Sequence, residues 1–320
     1  MPKTVLVFDK DAEWYCQRLR EACPTYRFLA AQTRDDAFAQ AAEAEIFTAL
    51  APPVPEALIA AMPKLEWVHA LTTGIDNLLG MPSLGSDVPI TKTRGIHGPQ
   101  MAELAILLMM ALPRKFPAVV LNQREARWER WPQPLLLGKT ICIVGLGAIA
   151  EALAARCHAF GMRIIGVSDG RSEVEGFSRV YRRSEIRTAA TEADFLVVIV
   201  PYGPETHHLI DAGVLEAMKP TAFLINIARG GCVDEAAVIA HLRANRIAGA
   251  ALDVFETEPL PAESPLWSLP NLIITPHIGG MADIYREQAL PILIAHLKAY
   301  AEAGPSALQG EFRGRNQPQI

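Results

Sequence analysis

The chain has 320 residues, 30 of them Lys or Arg and 35 Asp or Glu, which gives a formal net charge of -5. A hydrophobic fraction of 50% and a charged fraction of 20% are typical of a globular protein and exclude a largely disordered one. At roughly 150 residues per domain the length predicts two domains, and the mildly acidic charge excludes a dedicated nucleic-acid-binding protein.

The first hundred residues alternate short β-rich runs with segments of helical composition. The predicted strands are residues 4–8, 27–31, 46–50, 67–71 and 89–92, and the predicted helices between them are residues 11–22, 35–42 and 55–61. This alternation is typical of a parallel sheet covered by helices. A longer helix over residues 99–112 begins near Pro99 and ends before Pro113, and we expect it to bridge two domains.

The alternation restarts at Thr140 with stronger strands. These are residues 140–144, 163–167, 194–200, 222–227, 249–254 and 272–275. Because they are apolar at nearly every position, they predict a second doubly wound sheet, buried on both faces. A helix over residues 283–303, bent at Pro291, and a loose tail from Gly304 complete the chain. The predicted domains are residues 1–98 with 287–320, and residues 99–286.

No segment predicts a membrane span. The longest uncharged apolar run, residues 104–112, has about half of the roughly 20 residues that a span needs, and the N-terminal apolar run is too short for a signal peptide. The five cysteines are odd in number and show no C-x-x-C spacing. We therefore expect a cytoplasmic protein with reduced thiols, without a membrane partner and without a metal site.

A glycine-rich loop follows the strand at residues 140–144. Gly145 permits a tight turn, Gly147 lets the backbone approach a pyrophosphate, and Ala150 is small enough for a helix to pack closely on the sheet. The predicted helix over residues 151–160 then directs its free N–H groups at the phosphates. Glycine turns also occur for packing alone, but the strand before and the helix after favour dinucleotide binding.

The end of the next strand should meet the adenosine ribose, roughly 20 residues past the glycines. Ser168 occupies that place, and Asp169 and Arg171 follow it. A carboxylate there repels a 2′-phosphate, whereas a small hydroxyl followed by Arg tolerates one. A solvated turn is the alternative for both charged residues. The balance favours NADP slightly over NAD.

At this point six motifs resemble the D-isomer-specific 2-hydroxyacid dehydrogenases, which include the glyoxylate and hydroxypyruvate reductases. The resemblance runs over nearly the whole chain, and the motifs occur in the family's order and spacing. They are residues 72–77 (TTGIDN), 145–150 (GLGAIA), 201–206 (PYGPET), 227–231 (IARGG), 251–259 (ALDVFETEP) and 275–280 (TPHIGG).

The resemblance implies a fold, a site and an assembly. The fold is α/β, with a Rossmann dinucleotide-binding domain inserted into a flavodoxin-like substrate domain, an active site in the cleft between them, and a homodimer as the usual assembly. The implied catalytic residues are Arg229, Glu258 and His277, and backbone N–H groups at Thr73 and Gly74 are implied to hold the substrate carboxylate together with Arg229. The cofactor contacts, beyond the glycine loop and the ribose site, are Ala148, Ile149, Val200, Pro201, Thr206, Ile227, Ala228, Asp253, His277, Gly279 and Gly280.

Four positions depart from the family's pattern. Ala148 stands where Arg is frequent, so one side-chain contact to the pyrophosphate is lost. Ser168 replaces the acidic residue of NAD-dependent members, so both NAD and NADP are candidate cofactors. Tyr202 and Gly203 stand where Leu and Thr are frequent, so we expect the wall of the pocket beside the nicotinamide to be shaped differently.

The implied catalytic residues suit the reduction of a 2-oxo acid. His277 can give a proton to the carbonyl oxygen, Glu258 can fix the ring tautomer and stabilise the protonated ring, and Arg229 offers a planar donor fork to a carboxylate. Taken singly, each also fits a structural or surface role. Together, each after a strand of the second sheet, they favour catalysis, because doubly wound sheets place ligands at those strand ends.

We therefore expect an NAD(P)-dependent oxidoreductase that transfers a hydride between NAD(P)H and a small 2-oxo acid, with glyoxylate or hydroxypyruvate as the substrate. The alternative is a non-catalytic, dinucleotide-sensing protein, since a fold does not fix a function. The intact set of Arg229, Glu258 and His277 favours the enzyme.

Overall fold

A computed structural model describes residues 2–50, 54–308 and 312–313. Its strands are β1 (Thr4–Phe8), β2 (Arg27–Ala31), β3 (Ile46–Ala49), β4 (Trp67–Ala70), β5 (Pro89–Lys92), β6 (Thr140–Val144), β7 (Arg163–Val167), β8 (Arg179–Tyr181), β9 (Phe195–Val198), β10 (Phe223–Asn226), β11 (Gly249–Leu252), β12 (Leu272–Ile274) and β13 (Phe312–Arg313). Its α-helices are α1 (Ala12–Ala22), α2 (Arg34–Gln40), α3 (Glu56–Ala60), α4 (Asp76–Leu79), α5 (Gly98–Ala111), α6 (Phe116–Arg124), α7 (Ala148–Ala159), α8 (Ile186–Glu192), α9 (Ala212–Ala217), α10 (Glu235–Arg243) and α11 (Tyr285–Ala303).

The chain divides into two compact units. The first consists of Met1–Ile96 and Asp283–Ile320, and the second is His97–Ala282. The boundaries predicted from the sequence, after residues 98 and 286, fall two and four residues further along the chain.

The first unit is built on the sheet β13-β5-β4-β3-β1-β2. Strands β1 to β5 are parallel neighbours in the flavodoxin-like order. The central strands β3 and β4 are buried throughout, because helices cover both faces of the sheet. The α/β fold expected for this unit is therefore confirmed, with one addition, since the short strand β13 pairs antiparallel with β5.

The tail was predicted to be loose, and this is wrong for part of it. Residues Gly304–Leu308 form a 3₁₀ helix, and Leu308 is buried against the first unit's core because it packs with the apolar residues of α1 and α11. Phe312 pairs with Ile90 on β5. Residues 309–311 and 314–320 lie outside the described residues.

The second unit is built on the parallel sheet β12-β11-β10-β9-β6-β7-β8. This is the Rossmann order with one strand added beside β11. Two apolar clusters cover its faces, and β6, β9 and β11 are buried at every position. The expected Rossmann fold is confirmed.

Helix bounds differ from the predictions in ways that have local causes. Helix α7 begins at Ala148, three residues before the predicted start, because Gly147 is extended and serves as its N-cap. Helix α11 continues through Pro291, the seventh of its 19 residues, which has no N–H to donate to the carbonyl of Glu287. Within the described residues no single helix is long and apolar enough to cross a membrane, although the bent pair α5 and α6 passes that test by length and composition.

Candidate active site

The glycine loop after β6 has the geometry that a pyrophosphate requires. Gly145 has a φ of +99°, and a Cβ there would come within 3 Å of the Val200 backbone, so only glycine fits. A Cβ on Gly147 would meet nothing within 4 Å, which leaves open space beside the loop. The N-cap of α7 has no side-chain hydrogen bond, so the helix presents its first N–H groups to that space. These residues fit a dinucleotide.

The predicted ribose residues are close to this loop. Ser168 Oγ accepts the N–H groups of Gly170 and Arg171, each at 3.2 Å, and so closes the turn after β7. Arg171 Nη1 lies 2.5 Å from Glu151 Oε1 on α7 and donates to the carbonyl of Leu146 inside the glycine loop. The guanidinium therefore stands beside the phosphate loop.

The carboxylate of Asp169 has a cationic partner that sequence reasoning missed. Its Oδ1 accepts the backbone N–H of Arg183 at 2.9 Å, and its Oδ2 lies 3.3 Å from Arg183 Nε. Arg183 also pairs with Glu205 at 3.0 Å. The signal for this residue was the Arg182-Arg183 pair, but it follows β8, a three-residue strand too short and too exposed to be predicted.

The segment from Val200 to Thr206 forms a closed turn beside the loop. Thr206 is buried, accepts the N–H of Gly203 at 2.9 Å and donates to the carbonyl of Pro201 at 2.8 Å. The ring of Tyr202 packs against Gly231, where a Cβ would come within 2.6 Å of it, and its hydroxyl lies 3.1 Å from His207 Nδ1.

Arg229 follows β10 in a turn that a buried amide holds. Asn226, the last residue of β10, donates from Nδ2 to the carbonyl of Arg229 at 3.0 Å and accepts the N–H of Ala228 at 3.1 Å. Sequence reasoning missed Asn226, although a polar residue at the end of an apolar strand is a visible signal. Ile227 and Ala228, predicted to contact the cofactor, are buried in this turn.

His277 and Glu258 form the expected pair. His277 Nδ1 lies 2.7 Å from Glu258 Oε2, and Glu258 Oε1 accepts the N–H of Phe255 at 2.9 Å. Burial opposes ionisation of Glu258, but its hydrogen bonds with His277 and Phe255 and the charge of Arg229 outweigh that and lower its pKa. Since Nδ1 is held by Glu258, Nε2 is the ring nitrogen suited to exchange a proton with a substrate.

Asp253 holds the loop that carries His277. Its Oδ1 accepts the hydroxyl of Thr275 at 2.6 Å and the N–H of Ile278 at 3.0 Å, and its Oδ2 accepts the N–H of Gly279 at 2.9 Å. Its backbone carbonyl accepts the N–H of His277 at 2.8 Å. Asp253 is 1% exposed. Its part in cofactor binding stays a prediction, and the structure adds an anchoring role.

A half-buried histidine lies beside this loop. His97 is the N-cap residue of α5, and a Cβ on Gly280 would lie 3.5 Å from its ring. Burial and the charge of Arg229 lower the pKa of His97 to about 4, so the ring is neutral at physiological pH. Gly279 has no room for a side chain, because a Cβ would come within 3 Å of Asp253 and Leu104.

The predicted carboxylate-binding residues belong to the first unit, whereas the catalytic three belong to the second. Thr73 Oγ1 donates to the carbonyl of Thr93 at 2.8 Å, and Thr72 Oγ1 donates to that of Gly74. These bonds fix the loop that follows β4.

A sheet in the Rossmann order, with a first loop shaped for phosphates, is typical of dinucleotide-binding proteins. Comparison with known proteins narrows this class to one family. Residues 106–279 match the family model described as D-isomer specific 2-hydroxyacid dehydrogenase, NAD binding domain. The chain belongs to the D-isomer specific 2-hydroxyacid dehydrogenase family, so it is an NAD(P)-binding enzyme of that family.

Three similar proteins span most of the chain. A glyoxylate/hydroxypyruvate reductase B from Escherichia fergusonii is 33% identical over 291 residues, which are 88% of this chain and 89% of that protein. A solved structure of a family protein from Aeromonas salmonicida is 35% identical, with a TM-score of 0.88 over 97% of this chain and 99% of that one. A family structure from Xanthobacter autotrophicus, in complex with NADPH and MES, is 30% identical, with a TM-score of 0.77 over 92% and 95%.

Proposed function

We propose that this enzyme reduces a small 2-oxo acid, glyoxylate or hydroxypyruvate, to the corresponding D-2-hydroxy acid. The observation that carries the proposal is the 2.7 Å contact between His277 Nδ1 and Glu258 Oε2, with Arg229 close enough for its charge to act on that carboxylate. The substrate class is supported by the Escherichia fergusonii relative, which is named for these two acids.

Each residue has one task in this reaction. His277 gives its proton from Nε2 to the carbonyl oxygen, and Glu258 stabilises the ring while it is charged. Arg229 holds the carboxylate and polarises the carbonyl, while the N–H groups of Thr73 and Gly74 bind the same carboxylate. The nicotinamide supplies the hydride when the cofactor is bound.

For the cofactor we propose NADPH in preference to NADH. Ser168 brings no charge to the ribose site, and the carboxylate of Asp169 is paired with Arg183. Arg171 stands beside the phosphate loop, where a 2′-phosphate could replace Glu151 as its partner. The Xanthobacter autotrophicus relative, whose structure contains NADPH, supports this choice.

Replacing Arg171 with Ala tests the cofactor proposal. A charge-assisted hydrogen bond to phosphate contributes about 1.5–3 kcal/mol, so the variant should bind NADPH about 10- to 100-fold more weakly and NADH equally well. Arg187→Ala is the matched control, because Arg187 pairs with Asp211 in the same unit. Equal losses for both cofactors, or a strong preference of the wild type for NADH, would refute the assignment.

A homodimer is the proposed assembly. Several large apolar side chains on and after α6 are exposed, among them Phe116, Leu121 and Trp128, the last at 90%. A patch of this kind is typical of a protein interface, and a second copy would bury it. Sedimentation of the wild type and of Leu121→Asp tests this, and a wild type that stays monomeric at micromolar concentration would refute it.

The cytoplasm is the proposed location. The cysteines Cys16, Cys23, Cys142, Cys157 and Cys232 are all free and buried. Unpaired thiols are typical of a reducing compartment.

The decisive experiment is a panel of 2-oxo acids assayed with NADH and with NADPH, following the absorbance of the reduced nicotinamide. Turnover of glyoxylate or hydroxypyruvate, lost in His277→Asn, is expected. Tight cofactor binding without turnover of any acid in the panel would show a dinucleotide-sensing protein instead.

A further inference from the structure

One acidic residue outside the proposed catalytic set is bonded to the loop that carries Glu258. Glu235 opens α10, and its Oε1 accepts the backbone N–H of Glu256 at 2.6 Å. Asp234, the preceding residue, already caps α10 by accepting the N–H of Ala237 at 2.9 Å. The side chain of Glu235 is therefore directed away from its own helix, to a loop 21 residues further along the chain.

The peptide group that Glu235 holds contacts the turn of Arg229. A Cβ on Gly230 would overlap the carbonyl group of Phe255 and the nitrogen of Glu256. Gly230 thus lies flat against the peptide between residues 255 and 256. A shift of that peptide would move the residue next to Arg229.

The same loop also holds the catalytic carboxylate. The N–H of Phe255 donates to Glu258 Oε1, while Glu258 Oε2 contacts His277 Nδ1. Two carboxylates, those of Glu258 and Glu235, accept two successive N–H groups of one loop. Arg229, Glu258 and His277 therefore all depend on the position of the backbone at residues 255 and 256.

We infer that Glu235 is a positioning residue for the reaction, which fixes the peptide at residues 255–256 and adds a negative charge behind Glu258. The inference rests on the catalytic roles proposed for Arg229, Glu258 and His277. A purely structural role, as an acidic residue in the first turn of α10, is the alternative.

The charges around Glu235 agree with this arrangement. Burial raises the pKa of Glu235, the N–H of Glu256 lowers it, and the carboxylates of Glu256 and Glu258 raise it further. The side chain of Glu256 is itself paired with His208 Nε2 at 2.9 Å. Because Glu235 acts electrostatically on Glu258, its charge also favours the protonated form of the ring that Glu258 holds.

Two variants separate the contact from the charge. Glu235→Ala removes both, whereas Glu235→Gln keeps an oxygen that can accept the N–H of Glu256 and removes the charge alone. Glu216→Ala is the control, because it deletes an exposed carboxylate of the same unit, paired with Arg246, far along the chain from the loop. Thermal unfolding and cofactor titration establish that each variant is folded.

We expect Glu235→Ala to lower kcat by about tenfold or more with little change in KM for the cofactor, since small misplacements of catalytic groups are costly. Glu235→Gln should restore kcat to within about twofold of the wild type. In both variants, the pH at which reduction falls and the midpoint of the His277 imidazole titration by NMR should move to lower pH. Glu216→Ala should change neither.

A kcat of Glu235→Ala equal to that of Glu216→Ala would overturn the inference, and so would His277 titration curves that coincide in the wild type and both Glu235 variants. The NMR titration needs no substrate. A wild type inactive on every 2-oxo acid would thus refute the proposed function, while the titration would still decide whether Glu235 acts on the pair.

Discussion

The buried carboxylate of Asp253 offers a perturbation whose cost follows from the contacts around it. Asp253→Asn keeps the size of the side chain but replaces one acceptor oxygen with an NH₂ group. Three donors point at the carboxylate: the hydroxyl of Thr275 and the N–H groups of Ile278 and Gly279. Whichever way the amide turns, at least one backbone N–H faces another donor.

The expected cost has two parts. A hydrogen bond to a charged acceptor contributes about 1.5–3 kcal/mol, and a buried donor left without a partner costs about 1–3 kcal/mol. Since Asp253 is 1% exposed, water cannot replace the lost hydrogen bond. These two contributions overlap, so we expect the free energy of unfolding to fall by about 3–5 kcal/mol. For a unit of this size that lowers the unfolding temperature by about 6–20 °C.

Thermal unfolding followed by circular dichroism, without cofactor, measures this cost. The control is Asp211→Asn, since Asp211 caps α9 by accepting the N–H of Val214, and Asn serves equally well as an N-cap. The control should change the midpoint by no more than about 2 °C. A midpoint for Asp253→Asn within 1–2 °C of the wild type, about the size of the control, would refute the reasoning.

Three further predictions concern histidines and their partners. The His277→Asn variant should bind cofactor normally, and its kcat should be lower by a factor of about 10²–10⁴, the usual contribution of a general acid. Near-normal turnover in this variant would refute the assignment of His277 as the proton donor. Glu258 is ionised at neutral pH because its pKa is lowered. Glu258→Gln should therefore move the fall in reduction to lower pH, and an unchanged profile would show that the pair does not act together. Burial, and then His296, lower the pKa of His69 to about 3. The unfolded state alone takes up that proton between about pH 6.5 and 3, so stability should drop as the pH falls, by roughly 2 kcal/mol at pH 5. In urea unfolding, His69→Asn should lose less stability than the wild type between pH 7 and 5, and equal losses would contradict this.

Both sheets could be predicted because most of their strands are continuous runs of apolar residues in the sequence. Strands such as β6 and β9 are buried at every position, and burial on both faces requires apolar side chains throughout. Strand β8 was missed for the opposite reason. It has three residues at the edge of the sheet, and its first residue, Arg179, is exposed, so it carries no periodic signal. The pairing of β13 with β5 depends on contacts between distant segments, which a local pattern does not encode.

The residues that carry the proposed chemistry could be predicted better than their supports, the residues that hold the backbone around them in place. The motifs that resemble the family implied His277 and Glu258, their residue types suit proton transfer, and the structure pairs them as expected. Asn226 acts through hydrogen bonds with the backbone of Ala228 and Arg229, and Glu235 acts through one with the backbone of Glu256. The residue type shows that such a side chain can form a hydrogen bond, but it does not show with which group. Only the folded structure identifies that partner.

The positions of these supports explain how an exposed pair can be held firmly. His277 is 38% exposed at its side chain, and its φ of +54° costs about 1 kcal/mol for a residue other than glycine. Its contact with Glu258 is open to water and too weak to impose that backbone by itself. Asp253, on the buried side, binds the loop through its carbonyl and both carboxylate oxygens. The buried charge thus fixes the backbone, so the exposed carboxylate of Glu258 is needed only for the protonation of the ring. For this reason the loss of Asp253 should appear first as lost stability, and the loss of Glu258 as a shifted pH profile in an enzyme of nearly normal stability.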